Sequence, residues 1–222
     1  MDFSGPEPAV FRNVRSLNYE FLSCLRSSSA GIDLRRYMAT EVGAIISSLT
    51  DLQVERLSAT PFLLFSLRES DADYWSCLSA DEPNRDLLST IRPRDELGQL
   101  AAACLGFLWQ LAQRNPYAAR LVSGATLSWC EQLADRTLFR IMQRMAGRPD
   151  LLQPRRAADA GFWLKLLGPG LSSEEDVRMA AQLSALQSIL TEDSAARYRA
   201  LPAAACSSAA PTQRVADKPD RP

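Results

Sequence analysis

Apolar side chains recur along most of the chain at intervals of three or four residues, which is the spacing of one face of a helix. In residues 10–26 these side chains are Val14, Leu17, Phe21, Leu22 and Leu25. Further predicted helices with the same spacing cover residues 34–38, 40–49, 50–57, 97–114, 115–123, 127–145 and 174–190. The pattern therefore predicts an all-α protein.

Capping residues stand where these helices are expected to begin and end. Thr50 and Asn115 each precede a predicted helix, and a side-chain oxygen at that position satisfies one of the free N–H groups. Gly124 follows a predicted helix, as expected for a terminator. Ser172 and Glu175 have the spacing of a capping box at the start of the last helix.

The apolar run "FLLFSL", residues 62–67, admits two structures. Thr60 followed by Pro61 is typical of a helix start, which predicts a helix through this run and on to Tyr74 and Trp75. A buried strand is the alternative, because short apolar runs are ambiguous. The run is far shorter than the ~20 residues that a membrane-spanning helix needs. We expect core or a partner groove, with no membrane contact.

Changes in composition and the positions of helix-breaking residues divide the chain into five predicted parts. The predicted parts are a flexible N-terminus (1–9), a first helical unit (10–82), a charged, proline-containing linker (83–94), a second helical unit (95–192) and a disordered tail rich in Ala, Ser and Pro (193–222). The local charge also changes along the chain, since residues 69–96 hold eight acids and three Arg.

The two units resemble each other. "FLSCLR" at 21–26 matches "FLWQLA" at 107–112, and "SLTDLQVERL" at 48–57 matches "QLADRTLFRI" at 132–141. This predicts two related multi-helix units packed together. A duplication and a shared demand of helix packing both explain the match.

Residue types needed for most catalytic chemistry are scarce. The chain has no His, which removes His-based nucleophile pairs, His-containing zinc sites and the commonest general base. Its only Lys residues are Lys165 and Lys218, and no glycine-rich loop precedes either of them. We expect a protein that is not an enzyme and that holds no metal or cofactor.

The cysteines and the charge indicate where the protein works. The five cysteines show no C-x-x-C spacing, which favours reduced, buried thiols and a cytoplasmic location; they are Cys24, Cys77, Cys104, Cys130 and Cys206. The first residues carry acids and prolines rather than the basic and apolar run of a signal peptide. A net charge of -1 provides no global attraction for nucleic acid.

Residues 114–156 hold eight Arg and three acids, and four of these arginines form the candidate site. Arg136, Arg140 and Arg144 lie four residues apart on the predicted helix 127–145, and Arg148 follows them. This stripe predicts contact with phosphate or an acidic partner, with a solvated helix face as the alternative. Residues 117–138 also have the pattern of a helix-turn-helix with Gly124 in the turn, although Arg120 stands where that motif needs a small residue.

Residues 14–69 resemble the FlhD family of flagellar transcriptional activator subunits. The resemblance consists of a Leu-Asn helix, then a Leu-Thr-x-x-Gln-hydrophobic-x-x-Leu segment, then a Leu-Leu run ending in Arg. In this chain those positions are Leu17, Asn18, Leu49, Thr50, Gln53, Val54, Leu57, Leu63, Leu64 and Arg68. Members of that family are about half as long, and their run has a different sequence.

The resemblance implies a helical transcription co-regulator that assembles with a partner subunit and acts at DNA through that partner. Two alternatives remain open from the residues alone. One is a protein–protein adaptor or chaperone with no nucleic-acid role. The other is a sensor that binds a small ligand between the two units.

Overall fold

The computed structural model of the chain describes residues 5–27, 34–77, 96–145 and 150–191. The predicted linker 83–94 and tail 193–222 lie outside these residues. The α-helices within them are α1 Pro8–Ser27, α2 Thr40–Ser47, α3 Asp51–Ser58, α4 Ala72–Cys77, α5 Glu96–Arg114, α6 Pro116–Ser123, α7 Leu127–Ala134, α8 Leu138–Met145, α9 Ala160–Leu167 and α10 Glu175–Thr191. Single 3₁₀ turns cover Leu34–Tyr37 and Pro169–Leu171. The predicted all-α class is confirmed.

Several helix starts follow from local sequence. Thr50 caps α3 through a complete capping box, in which its hydroxyl accepts from the N–H of Gln53 and its own N–H donates to the Gln53 side chain at 2.9 Å. Asn115 caps α6 by accepting from the N–H of Ala118 at 3.0 Å. Gly124 ends α6 in the left-handed conformation, with φ of 67°. These three predictions are confirmed.

The prediction of a helix over residues 62–67 is wrong. The run is extended and includes the short strand β1 (Phe65–Ser66), which pairs antiparallel with β2 (Gln153–Pro154). Its backbone groups bond to distant parts of the chain, since Leu63 N–H donates to the carbonyl of Val122 and Leu64 N–H to the side chain of Asn18, both at 2.9 Å. Hydrogen-bond partners from distant parts of the chain therefore satisfy backbone N–H groups that would bond to nearby carbonyls if the run were a helix.

The predicted single helix 127–145 is also wrong, because it divides into α7 and α8. The N–H groups of Asp135 and Arg136 bond back to Glu131 and Leu133, which closes α7. Arg136 offers its carbonyl to the indole N–H of Trp109 at 2.7 Å. Ile141 of α8 is buried in the core.

The element order repeats. The first unit runs α1, α2, α3, β1, α4, and the second runs α5, α7, α8, β2, α9, with α6 inserted and α10 added at the end. Phe65 lies opposite Pro154 and Ser66 opposite Gln153, so the two strands pair about a local twofold axis. The strand pairing thus relates equivalent residues of the two units by a local twofold, and α1 packs on α5.

α4 of the first unit and α9 of the second each contact the opposite unit. α4 of the first unit packs on α7 of the second, where the rings of Trp75 and Trp129 meet edge to face at 5.2 Å. α9 of the second unit packs on α2 of the first. The buried side chains of both units consequently form one continuous core, which includes three of the four Trp side chains.

No helix within the described residues is long and apolar enough to cross a membrane.

Candidate functional site

The predicted arginine stripe does not lie on one helix. Arg136 is in the turn before α8 and is partly buried, whereas Arg140 is exposed on α8. Arg144 is within α8, and its side chain lies outside the described part of the structure, as does all of Arg148. The break at residues 135–137 therefore separates Arg136 from the predicted stripe, whereas Arg140 and Arg144 remain four residues apart on α8, and the role of these residues stays a prediction.

The predicted helix-turn-helix has the expected connection but an unsuitable surface. α6 and α7 are joined through Gly124, and Thr126 caps α7 by accepting from the N–H of Trp129 at 3.1 Å. The exposed side chains of α7 and its ends are neutral or acidic; they are Thr126, Ser128, Glu131, Gln132 and Asp135. Two carboxylates on the outward face oppose contact with phosphate, so α7 is a poor recognition helix.

Asn18, one of the residues that carry the family resemblance, is a buried hydrogen-bond centre. Its amide NH₂ donates to the carbonyls of Phe62 at 2.8 Å and Ser58 at 3.3 Å, and to the hydroxyl of Thr60 at 3.2 Å. Its amide oxygen accepts from the N–H of Leu64 at 2.9 Å. The side chain thereby fixes the path of the chain from α3 into β1.

The other residues of the resemblance are structural as well. Thr50 and Gln53 form the capping box of α3, and Arg68 lies at the end of the extended run with its guanidinium largely buried. The apolar positions Leu49, Val54, Leu57, Leu63 and Leu64 are all buried. The residues that carry the resemblance are therefore residues that shape the fold of this chain.

A second sequence repeat, which our sequence analysis missed, underlies the two β-to-α turns. "LLFSLRESDADYW" at 63–75 aligns without gaps with "LLQPRRAADAGFW" at 151–163, and six of the thirteen positions are identical. Tyr74 and Phe162 form a further similar pair. The Leu-Leu pair, the Arg, the Asp-Ala pair and the final Trp were the signal available in the sequence.

The two turns have the same geometry. Arg68 and Arg156 both adopt positive φ, 55° and 49°, which is costly for a residue with a side chain. The carbonyl of each accepts from the N–H of the Asp three residues later, at 2.9 Å for Asp71 and 2.8 Å for Asp159. Each guanidinium forms an ion pair with that same Asp at 2.5 Å.

An aromatic ring completes each turn. The guanidinium of Arg68 lies 4.2 Å from the ring centre of Tyr74, and that of Arg156 lies 5.4 Å from the ring centre of Phe162. Cation–π contacts of this kind add modest stabilisation to the ion pairs. Together they offset the backbone cost of the left-handed arginine, so both turns act as matched clasps between a strand and a helix.

The pKa of Asp159 reflects its role in the second clasp. Burial alone would raise its pKa, but the N–H of Phe162 and the guanidinium of Arg156 both favour the carboxylate. Their sum lowers the pKa below the ordinary value of 3.8. The clasp therefore requires the ionised form of this residue.

One buried ion pair joins the two units. Arg155 Nη1 lies 2.9 Å from Glu69 Oε1, while its Nε and Nη2 donate to the carbonyls of Leu63 and Phe65, each at 2.6 Å. The other carboxylate oxygen of Glu69 accepts from the N–H of Leu67 at 2.7 Å. All the charged groups have partners, which is the condition under which a buried pair is tolerated.

The ion pair occupies only one of two equivalent places. In the aligned repeat, Leu67 corresponds to Arg155 and Ala157 corresponds to Glu69. The twofold-related position therefore combines a Leu with an Ala. The two units are similar in fold but are not interchangeable at their junction.

The buried thiols lie in the second unit near this pair. Burial raises the pKa of Cys104, and the Glu69 carboxylate raises it further. Burial also raises the pKa of Cys130 to about 12, against a hydrogen bond with Ser123 that lowers it. A thiol that stays protonated is a poor nucleophile and a poor metal ligand.

Other candidate chemistry is sparse in the part of the chain that the structure describes. No group of three or more His, Cys, Asp or Glu side chains that could hold a metal ion is found there. Lys165 is exposed on α9, and its ammonium donates to the hydroxyl of Ser184 at 3.1 Å. Such a lysine is an ordinary surface residue.

No protein-family model matches the chain, and no curated protein or solved structure shows significant similarity to it.

Proposed function

We propose that this chain is a non-catalytic, cytoplasmic regulatory protein that acts on transcription through a partner subunit. The observation that carries the proposal is the arrangement around Asn18. Asn18 and Leu64, two of the residues that resemble the FlhD family, are hydrogen-bonded there, and Asn18 also binds the carbonyls of Ser58 and Phe62, which joins α1 to the end of α3 and to the run that contains β1. A shared role is inferred from these shared residues by analogy.

The surface charge supports action through a partner rather than direct reading of DNA. The exposed side of α7 carries Glu131 and Asp135 and no basic side chain. The predicted contacts Arg136, Arg140, Arg144 and Arg148 are too few to sustain tight binding of this chain alone to a duplex, because each phosphate contact adds a limited, salt-dependent increment. They suit a supporting role beside a DNA-binding subunit.

The same acidic surface favours a second candidate, a protein–protein adaptor or chaperone with no nucleic-acid role. In that case the partner would be a client, and the arginines would contact its acidic side chains.

Isolation of the tagged full chain from its native host at native abundance distinguishes the two. Recovery of a DNA-binding subunit is expected, and recovery of a single client with no regulatory role would favour the adaptor. With the recovered subunit in hand, fluorescence anisotropy should show DNA binding by the pair and none by this chain alone.

Salt dependence then tests the arginines. Arg140→Glu should weaken the complex of the pair with DNA and reduce the slope of log affinity against log salt by about one contact. Arg12→Glu, at an exposed arginine on α1, is the matched control and should leave the slope unchanged. Equal slopes for both variants would assign Arg140 to the solvated surface.

A further inference from the structure

Helix α10 carries a seam of large apolar side chains on a side that solvent reaches. The four residues of this seam follow one another at intervals of four, three and four, which is the spacing of a coiled-coil contact; they are Met179, Leu183, Leu186 and Leu190. Met179 is 49% exposed and Leu183 is 53% exposed, while Leu186 and Leu190 are partly exposed. The α10 seam therefore continues over about three turns of the helix.

The way in which α10 packs on the rest of the chain leaves this seam uncovered. The helix packs on α9 and on the 3₁₀ turn Pro169–Leu171. Its fully buried residues are small or polar; they are Ala181, Gln182 and Ala185. A helix that served only to complete the core would turn its Leu and Met side chains inward, because those side chains gain most from burial. The outward position of Met179 and Leu183 indicates a contact with a further molecule.

Charge is confined to the start of the seam. Glu175 and Asp176 are exposed in the first turn of α10, four and three residues before Met179, which places them on the same side of the helix as the seam. Arg178 is the only charged residue in 177–191, and its guanidinium donates to the carbonyl of Ser172 at 2.9 Å. The α10 seam is therefore an uncharged apolar strip that begins at two carboxylates.

Two copies of α10 do not suit each other in either orientation. A parallel pair would place the two acidic first turns side by side. An antiparallel pair would place each acidic first turn against the last turn of the other copy, which holds no basic side chain and carries the negative end of the helix dipole. Both arrangements bring like charges together, so the charges favour a helix of a different protein.

We propose that the α10 seam docks an amphipathic helix of a second protein in antiparallel orientation. The apolar residues of that helix repeat at intervals of three and four, and its last turn is basic. Lys or Arg there lies against Glu175 and Asp176 and also suits the dipole of its own helix. The apolar contacts supply the buried area, and the charges set the direction.

This inference goes beyond the proposed function because it names the surface and the element of the partner that binds. It is independent of the role of that partner, which can be a DNA-binding subunit or a client. A failure of the peptide experiment below would leave the isolation experiment unaffected, so the two proposals are tested separately.

Fluorescence anisotropy of a labelled synthetic peptide with the purified full chain is the test. The probe is a helix of about three heptads with Leu at the a and d positions and with Lys and Arg in its last turn, kept dilute so that it stays monomeric. It should bind with a dissociation constant of about 1–100 μM, as expected for a small interface. One control peptide carries the basic residues in its first turn, and another has Ser and Gln in place of Leu. Each control should bind at least about fivefold more weakly, because charge reversal and lost apolar area both cost affinity.

Substitutions in the chain locate the contact. Leu183→Asp, in the middle of the seam, should weaken binding of the probe at least about tenfold, because it puts a charge into the apolar contact. Met179→Asp provides a second variant in case the first melts at a lower temperature than the wild type. Leu52→Asp is the matched control, since Leu52 is 56% exposed on α3, outside the seam.

Charge reversal tests the orientation. Glu175→Lys combined with Asp176→Lys should weaken binding of the probe and strengthen binding of a peptide whose last turn is acidic. A thermal melt of each variant shows that it is folded.

Four results would overturn the proposal. The first is a wild type that does not bind the probe with saturation. The second is equal weakening by Leu183→Asp and Leu52→Asp, which would place the contact elsewhere. The third is equal affinity for the peptides with the basic residues in the first and in the last turn. The fourth is self-association in sedimentation velocity that Leu183→Asp abolishes, which would assign the seam to a second copy of the chain.

Discussion

Arg155 and Glu69 form an ion pair across the junction of the two units, with side-chain exposures of only 4% and 6%. The pair is surrounded by its own hydrogen bonds, since Arg155 also binds the carbonyls of Leu63 and Phe65. It connects the third residue after β1 with the first residue after β2. The equivalent place in the repeat holds Leu67 and Ala157 instead of an ion pair. The pair therefore distinguishes the two units at the turns where their sequences and folds are most alike.

Removing one member of this pair should be far more harmful than replacing both. Glu69→Ala leaves an uncompensated buried guanidinium and should lower the free energy of unfolding by about 3–5 kcal/mol. Glu69→Ala combined with Arg155→Met removes both charges and should recover much of that loss. Chemical denaturation of the wild type, both single variants and the double variant gives the coupling. Additive single effects would contradict this account.

Gly124 is expected to tolerate no side chain. Its φ is +67°, and an added Cβ would lie 2.3 Å from Ile189 Cγ2 and 2.9 Å from Arg155 Nη1. Gly124→Ala should therefore destabilise the protein by about 2 kcal/mol or more, from backbone strain and from displacement of the guanidinium. Thermal and chemical denaturation measure the effect.

Gly106 provides the matched control for that substitution. It lies inside α5, and an added Cβ would meet nothing within 4 Å. Gly106→Ala should stabilise the protein by about 0.5–1 kcal/mol, because alanine is the better helix former. A loss of stability at both positions would show that the local geometry of Gly124 is not the cause.

The matched clasps predict matched mutational effects. Asp71 and Asp159 each accept a hydrogen bond from the N–H of the aromatic residue three positions later, at 2.9 Å from Tyr74 and 3.0 Å from Phe162. Asp71→Ala and Asp159→Ala should each cost about 1–2 kcal/mol of unfolding free energy, as expected for loss of a helix cap together with an ion pair. A large difference between them would show that the two turns are not energetically equivalent.

Acid should weaken the second clasp in a defined direction. The pKa of Asp159 is lowered in the folded state, so its contribution is present above the ordinary carboxyl value of 3.8 and is lost as the pH falls below it. Asp159→Asn keeps a capping oxygen but has no charge to lose. The free energy of unfolding of the Asp159→Asn variant should therefore fall less than that of the wild type between pH 5 and pH 3, roughly the range of carboxyl titration.

The buried thiols should be inert in the folded protein. With a pKa of about 12, Cys130 has roughly one thiolate in ten thousand molecules at pH 8. A variant with Cys24, Cys77 and Cys206 changed to Ser retains only Cys104 and Cys130. It should not react with Ellman's reagent when native and should release two equivalents when unfolded. Rapid reaction of the native form would contradict their burial.

Alkaline pH should destabilise the fold through the same thiols. Their pKa values are raised on folding, so their contribution is present below the ordinary value of 9.0 and decreases as the pH rises above it, because the unfolded thiols then ionise first. Chemical denaturation at pH 8 and pH 10 measures this decrease. Replacement of Cys130 by Ala should reduce it.

Local sequence determined the helices and most of their ends. The periodic apolar positions located α1, α5 and α10, and side chains such as Thr50 and Asn115 fixed helix starts because their partners lie only three residues away. The absence of His and the scattered positions of the cysteines were likewise visible in the sequence, and they argued against His-based catalysis and C-x-x-C sites without any structure. The similarity of the two units was also visible in the sequence.

Tertiary structure decided the conformation of residues 62–67 and of residues 135–137. Both segments have apolar patterns compatible with a helix, but their backbone groups bind partners far along the chain, such as Asn18 for Leu64 and Trp109 for Arg136. The same break separates Arg136 from Arg140 and Arg144, which stay together on α8. Interactions between residues so distant in sequence leave no local periodicity, so only the folded chain could show the contacts of α4 and α9 with the opposite units and the buried pair of Arg155 with Glu69.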